Sequence, residues 1–252
     1  MKAWILGGGV SLLKGGVEAG LGLLFPEVCQ ICRAQLAKAG DGFVCAACWQ
    51  RFRFVRDPFC DCCGLPFEGE VTSTFRCGNC KGRRFAFRAA RAAVVANEFS
   101  LEIIHRYKYS GEVWFEGLLS NLLWDQLGVL GLRWGWDLVV PVPLFATKQR
   151  EREFNQAERI GKTIADRLEV PLAVDLVKRV VPTGSQTMLS RAERLDNVRG
   201  AFVAGRRTNL RGKCVMVVDD VFTTGATSNA CAQVLRRMSA GEIWVCTVVR
   251  GL

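Results

Sequence analysis

Apolar residues recur at a helical interval near the start of the chain, where Val10, Leu13, Val17, Leu21 and Leu24 share one face. The pattern predicts an amphipathic helix within residues 1–24. Periodicity then disappears until about Arg88, after which short apolar runs alternate with helical patterns. Residues 92–97 read as a strand and 100–109 as a helix with Ser100 as N-cap. A helix is expected over 114–130, a short strand over 137–142 and a helix over 155–168. A strand over 215–218, a helix over 228–238 and a strand over 243–249 complete the series. This alternation predicts an α/β fold with a mostly parallel sheet and flanking helices.

Three regions follow: an apolar segment 1–24, a cysteine-rich segment 25–87, and the α/β region 88–252. The middle region holds the spacing C29-x2-C32, C45-x2-C48, C60-x2-C63, C77-x2-C80. A C-x2-C turn aims two sulfurs at one ion, and two such turns complete a tetrahedron. The chain has one histidine, His105, so four thiolates per ion is the complete set available. Cys29, Cys32, Cys45, Cys48, Cys60, Cys63, Cys77 and Cys80 are therefore candidate ligands of two structural zinc ions. Iron–sulfur ligation or redox chemistry is the alternative. Sequential pairing of the knuckles is simpler than a cross-braced one, which stays open. Cys62 is spare, and Cys214, Cys231 and Cys246 sit in apolar contexts that suit small core residues.

The formal charge of +10 points to an anionic partner. Eight thiolates around two divalent ions would reduce it without reversing it. The start MKAWILGGG faintly resembles a signal peptide, but Lys14 and Glu18 follow and no A-x-A site is present. No apolar stretch is long enough for a transmembrane anchor. With so many cysteines in metal-site spacing, a cytoplasmic, reducing location is expected.

Candidate chemistry concentrates in VMVVDDVFTTGAT, residues 215–227. Adjacent carboxylates repel, so Asp219 and Asp220 at the end of an apolar strand require cations or hydroxyl donors nearby. In an open α/β sheet, ligands bind beyond the carboxyl ends of strands. Thr223, Thr224, Gly225, Ala226 and Thr227 then lead into a helix whose first N–H groups form an anion site. Phosphate on the loop and a sugar diol on the acids describe a ribose 5-phosphate. An acidic pair after a strand also occurs in nucleotide-hydrolysing and phospho-acceptor sites, but no G-x4-G-K-[ST] loop is present and the hydroxyl–glycine loop has no role in either scheme. A second stretch, 141–156, places Lys148, Arg150 and Arg152 on alternate residues. An extended loop there would show one basic face, suited to pyrophosphate; the plainer reading is a solvated charged loop. His105 suits a surface or interface position better than a proton-transfer role.

The 215–227 stretch resembles the phosphoribosyl-pyrophosphate motif of type I phosphoribosyltransferases, a hydrophobic strand followed by D-D-x-x-T-T-G-x-T. With the four cysteine knuckles, His105…Lys108-Tyr109-x-Gly111, PVPL, R-x-R-x-FNQ and Gln186…Arg191…Arg194…Asn197, the chain resembles the ComF family. Those competence-associated proteins join a double zinc ribbon to a type I phosphoribosyltransferase domain. The resemblance implies binding of phosphoribosyl pyrophosphate with Mg2+, the acids contacting ribose hydroxyls and the loop holding the 5-phosphate. It also implies a link to DNA uptake and to other competence proteins. The family pattern usually has H-P-K-R after PVPL and glycine before FNQ. Here Phe145-Ala146-Thr147-Lys148 and Glu153 stand instead, which lowers phosphate-contacting capacity and bears on turnover more than on binding.

Two functions remain open at this level. One is an enzyme transferring phosphoribosyl to an unknown acceptor. The other is a non-catalytic binding or scaffold protein that handles single-stranded DNA, for which Lys81, Arg83, Arg84, Phe85, Phe87 and Arg88 interleave basic and aromatic residues. A basic linker with inward-packed phenylalanines explains the same stretch. Arg191 and Arg194 could cover the site from a loop. Elemental analysis of the purified chain should give about two zinc ions per molecule; iron, or folded protein without metal, would refute the cysteine assignment.

Overall fold

The computed structural model describes residues 28–38, 43–69, 74–133, 135–182 and 200–251. The helix expected within residues 1–24 and the 186–197 segment lie outside the described residues. Two compact units are present, residues 1–50 and 51–252. In the smaller, Cys29 N–H donates to the Gln35 carbonyl at 2.7 Å and Val28 bridges Leu36, which folds the first knuckle. The second pair of that unit opens a single helical turn, α1 (Ala46–Trp49).

The larger unit contains β1 (Arg53–Phe54), β2 (Ala89–Val95), α2 (Glu98–Tyr109), α3 (Phe115–Val129) and β3 (Leu138–Pro141). There follow α4 (Ala146–Arg152), α5 (Gln156–Leu168), β4 (Val177–Arg179), β5 (Phe202–Ala204), β6 (Cys214–Phe222), α6 (Ala226–Arg237) and β7 (Glu242–Arg250). Five strands form one sheet in the order β1-β2-β7-β6-β3, parallel except for the short β1. A separate antiparallel pair joins β4 to β5. The mixed α/β architecture with a mostly parallel sheet is the one expected.

Alternation along β6 shows how the sheet is covered. Val215 and Val217 pack with Cys231, Ala232, Val234 and Leu235 of α6. Met216 and Val218 are equally buried, and a strand turns them to the opposite face. A parallel sheet covered on both faces results. The leucines Leu118, Leu119, Leu122, Leu123 and Leu127 of α3 are all buried, and α3 packs against α5 and β2. The segment holding Cys60, Cys62, Cys63, Cys77 and Cys80 joins the same core as β6 and α6. Ala90 N–H donates to the Cys62 carbonyl at 2.7 Å. At Gly64, φ is +64° and a Cβ would come within 2.8 Å of the Ala90 carbonyl oxygen. The knuckle is thus fastened to β2 by backbone.

Three local readings are corrected. Asn97, not Ser100, caps α2: its side chain accepts from Ser100 N–H at 2.8 Å while Ser100 Oγ accepts from Asn97 N–H at 3.0 Å. Ser100, the third helical residue, is the other half of a capping box. Strand β6 continues through Asp219 and Asp220 to Phe222, because pairing with β7 overrides the poor strand propensity of aspartate. The stretch holding Lys148, Arg150 and Arg152 is the helix α4, not an extended loop.

Helix α4 ends at Glu153, whose φ of 64° lies in the left-handed region. Glycine takes that conformation freely and other residues do so at a cost of roughly 1 kcal/mol. Glu153→Gly should therefore raise stability by up to about 1 kcal/mol, read as a higher denaturation midpoint with an unchanged denaturant slope. A lower midpoint would show that the glutamate side chain is held by the fold.

Candidate functional site: two sulfur clusters and a charged cleft

The cysteines converge as two sets, Cys29, Cys32, Cys45, Cys48 and Cys60, Cys63, Cys77, Cys80, each with its sulfurs within 4.8 Å of one another. The pairing is sequential. A tetrahedron with metal–sulfur bonds of about 2.3 Å has edges of about 3.8 Å. Cys32 Sγ and Cys45 Sγ lie 3.8 Å apart, and Cys63 Sγ and Cys77 Sγ 3.6 Å. Acidity within each set also diverges. Against its burial, backbone N–H groups of Cys45, Cys32 and Ile31 lower Cys29 to about 6, while burial and neighbouring sulfurs push Cys48 up to about 12. Sulfurs this close cannot all be thiolates without a cation between them. The donor set fits zinc closed on all four sides, a structural site.

At the carboxyl ends of β3 and β6 lies a cleft of about 460 Å³. It is lined by Asp219 and Asp220, by residues 223–228, by the basic Lys148, Arg152 and Arg179, and by His105, Lys108 and Tyr109 of α2. Of the described residues expected at this site, Arg150 alone does not line the cleft. On a helix, residues four apart share a face and residues two apart do not, so Lys148 and Arg152 point in together and Arg150 is exposed. Arg152 donates to Gln156 Oε1 at 3.1 Å and to Tyr109 Oη at 2.6 Å. His105 is exposed and packs its ring on Tyr109 with centroids 4.8 Å apart.

The phosphate-loop candidate is shaped by Gly225, at φ 76°, where a Cβ would meet the Phe222 ring at 2.6 Å. No side chain caps α6 from this position, and Thr224 Oγ1 accepts from Ala226 N–H at 3.3 Å. The acids are unequal. Asp220 is buried and paired with Lys108; against the burial, that ammonium holds its carboxyl below the usual range. Asp219 is half-buried, and burial followed by the Asp220 charge raises it well above that range. Lys148 is lowered by burial and then by repulsion from Arg179 and Arg152. Cations that repel one another in a cleft are relieved by an anion.

Sequence reasoning missed Arg179 and the part played by Lys108. Arg179 lies on the three-residue β4, too short for a periodic signal, and reaches the cleft only through the β4–β5 pairing. Lys108 stood within a recognised motif, but nothing in the sequence told that it pairs with Asp220.

The Asp219 carboxyl keeps its proton in the folded chain over a range where the unfolded chain has released it. Its contribution to stability therefore falls as pH rises from the ordinary carboxylate value through the raised one. Asp219→Asn removes that loss. At pH 7 the variant should be more stable by about 1 kcal/mol, a melting point roughly 2–4 °C higher, and the margin should shrink toward pH 4. A margin independent of pH, or a lower melting point at pH 7, would contradict the raised Asp219.

Comparison with known proteins places both halves. Residues 20–81 match the family model of the double zinc ribbon domain, and residues 155–252 that of the phosphoribosyl transferase domain. The chain is 29% identical over 230 residues to Competence protein F of Haemophilus influenzae, covering 88% of this chain and 96% of that protein. It is 31% identical over 236 residues to DNA utilization protein YhgH of Escherichia coli O157:H7, covering 91% and 100%. With Competence protein ComFC of Bacillus subtilis it shares 24% over 258 residues, covering 92% and 98%. A near-complete match at this identity, two sulfur clusters in ribbon spacing and an acid pair at the end of a parallel strand agree on one assignment: the chain belongs to the ComF family.

Proposed function

We propose that the larger unit binds phosphoribosyl pyrophosphate with Mg2+. The observation that carries this is the meeting, in one cleft, of a strand-end acid pair, a hydroxyl-rich loop at a helix start and a surplus of cations. Asp219 and Asp220 hold the ribose hydroxyls. Residues 223–227 receive the 5-phosphate on the backbone of the α6 start and on threonine hydroxyls. Lys148 and Arg152, with Arg179, take the pyrophosphate; Arg150, on the outer face of α4, contributes only long-range charge. Mg2+ supplies further neutralisation of the pyrophosphate oxygens. Lys108 must share Asp220 with the incoming diol, so it sets the cost of opening the site.

Two outcomes of binding are carried forward. If an acceptor enters, the C1–pyrophosphate bond breaks and a ribosyl 5-phosphate group is transferred; the chain's part is to stabilise the departing anion and hold the sugar, with little proton chemistry. If none enters, the chain is a binding protein. The names of its relatives, competence and DNA utilization proteins, support a role in DNA uptake for either. A stacking role for the 81–88 stretch is not favoured. Phe87 is buried, stacks with Phe85 at 4.8 Å and meets Phe222 edge-on at 6.0 Å, so its rings are committed to packing. Two structural zinc ions, one in each four-cysteine set, and a cytoplasmic location complete the reading. Among the described residues no helix is long and apolar enough to cross a membrane.

Calorimetric titration of the zinc-loaded chain with phosphoribosyl pyrophosphate and Mg2+ should show one site. The double variant Asp219→Asn, Asp220→Asn should lose that heat entirely, and undiminished affinity would remove the acids from the site. Pyrophosphate release on adding candidate acceptors then marks an enzyme, and tight binding without release marks a binding protein.

A further inference from the structure

Arg250, the last residue of β7, is almost fully buried, 3% exposed, and it lies outside the cleft. Its guanidinium is shared between two parts of the chain. On one side Nε donates to the Cys63 carbonyl at 2.9 Å and Nη2 to Cys63 Sγ at 3.4 Å. On the other, Nη1 donates to the carbonyls of Phe222 at 3.2 Å and Thr223 at 3.1 Å, and also to that of Gly251. Phe222 and Thr223 are where β6 gives way to the phosphate-loop candidate. The Phe222 ring lies 5.1 Å below the guanidinium and is the surface on which Gly225 rests. Gly251 N–H adds a bond to the Phe222 carbonyl at 2.8 Å.

A buried guanidinium requires a counter-charge. Among the described residues no carboxylate is paired with Arg250. Cys63 belongs to the second four-sulfur set, and four thiolates around one divalent ion leave a net negative charge beside it. The planar fork, which donates along several fixed directions at once, turns that charge into position: the sulfur cage fixes the guanidinium and the guanidinium fixes the loop carbonyls.

We propose that Arg250 is a positioning residue coupling the metal state of the Cys60, Cys63, Cys77, Cys80 site to the geometry of the loop at residues 223–227. Loss of that metal releases the loop. The functional meaning rests on the reading of the loop as a phosphate site, but the coupling does not, and the two can fail separately.

The test is hydrogen exchange by mass spectrometry on the full, zinc-loaded chain, comparing wild type with Arg250→Lys, which keeps the charge and loses the fork. Exchange across 222–228 should rise about tenfold or more, while α5 and β2 keep their protection. A chelator should remove the second zinc from the variant about tenfold faster or more, since groups bonded to metal ligands tune affinity by about 10–100-fold. An unchanged loop with two zinc ions in place, or a rise spread evenly over the whole unit, overturns the proposal. If the variant does not fold, the wild type is stripped stepwise and Cys63 alkylation is scored in the same samples. The loop should open as Cys63 becomes reactive while α5 stays protected; a loop unmoved, or one opening only together with α5, overturns it. Titration of wild type with phosphoribosyl pyrophosphate separately decides the loop's role: absent binding with a coupled loop refutes only the ligand.

Discussion

Two neighbouring carboxylates in a half-closed cleft set the terms for everything around them. Burial and mutual repulsion oppose their charge together, and among the described residues the fold answers with an ion pair on one acid, Lys108 on Asp220. The remaining acid is left protonation-prone, and the cations opposite it outnumber what the acids can neutralise. Helix α2 exists in its observed place to deliver Lys108, β4 to deliver Arg179, and α4 to deliver Lys148 and Arg152. Each comes from a different part of the chain, and only the parallel sheet brings them to one end.

The sheet was legible in the sequence because a strand buried on both faces is a mostly apolar, valine-rich run, as at 215–218 and 243–249. The sulfur sites were legible because spacing alone fixes the geometry of a four-thiolate cage. The acid pair and its loop were legible because few chemistries need both. What escaped had a physical reason in each case. The limits of β6 were hidden because aspartates end most strands, and here backbone pairing with β7 carries the chain through them. The helical form of 146–152 was hidden because its alternating charges suit an extended loop as well as a short helix. Arg179 and Arg250 were hidden because their roles depend on contacts between segments far apart in sequence, as in the reach of Arg250 to Cys63.

The second sulfur cluster shows how a metal site can belong to a larger fold. Its cysteines share a core with β6 and α6, its backbone hydrogen-bonds to β2, and Arg250 reaches it from β7. The first cluster, with Cys32 exposed, is built on its own short turns. Two sites of identical ligand composition are thus built differently, one on short turns and one within a sheet's core.

The acids also differ in direction. Because β6 remains a strand through both, its pleat sends Asp219 and Asp220 to opposite sides of the sheet's end. Asp219 is felt by Arg179 and Cys231, Asp220 by Lys108 and Tyr107. A ligand laid across that end would straddle a saddle whose flanks carry different neighbours. Such a saddle is not symmetric, and its two flanks present different charges to whatever enters.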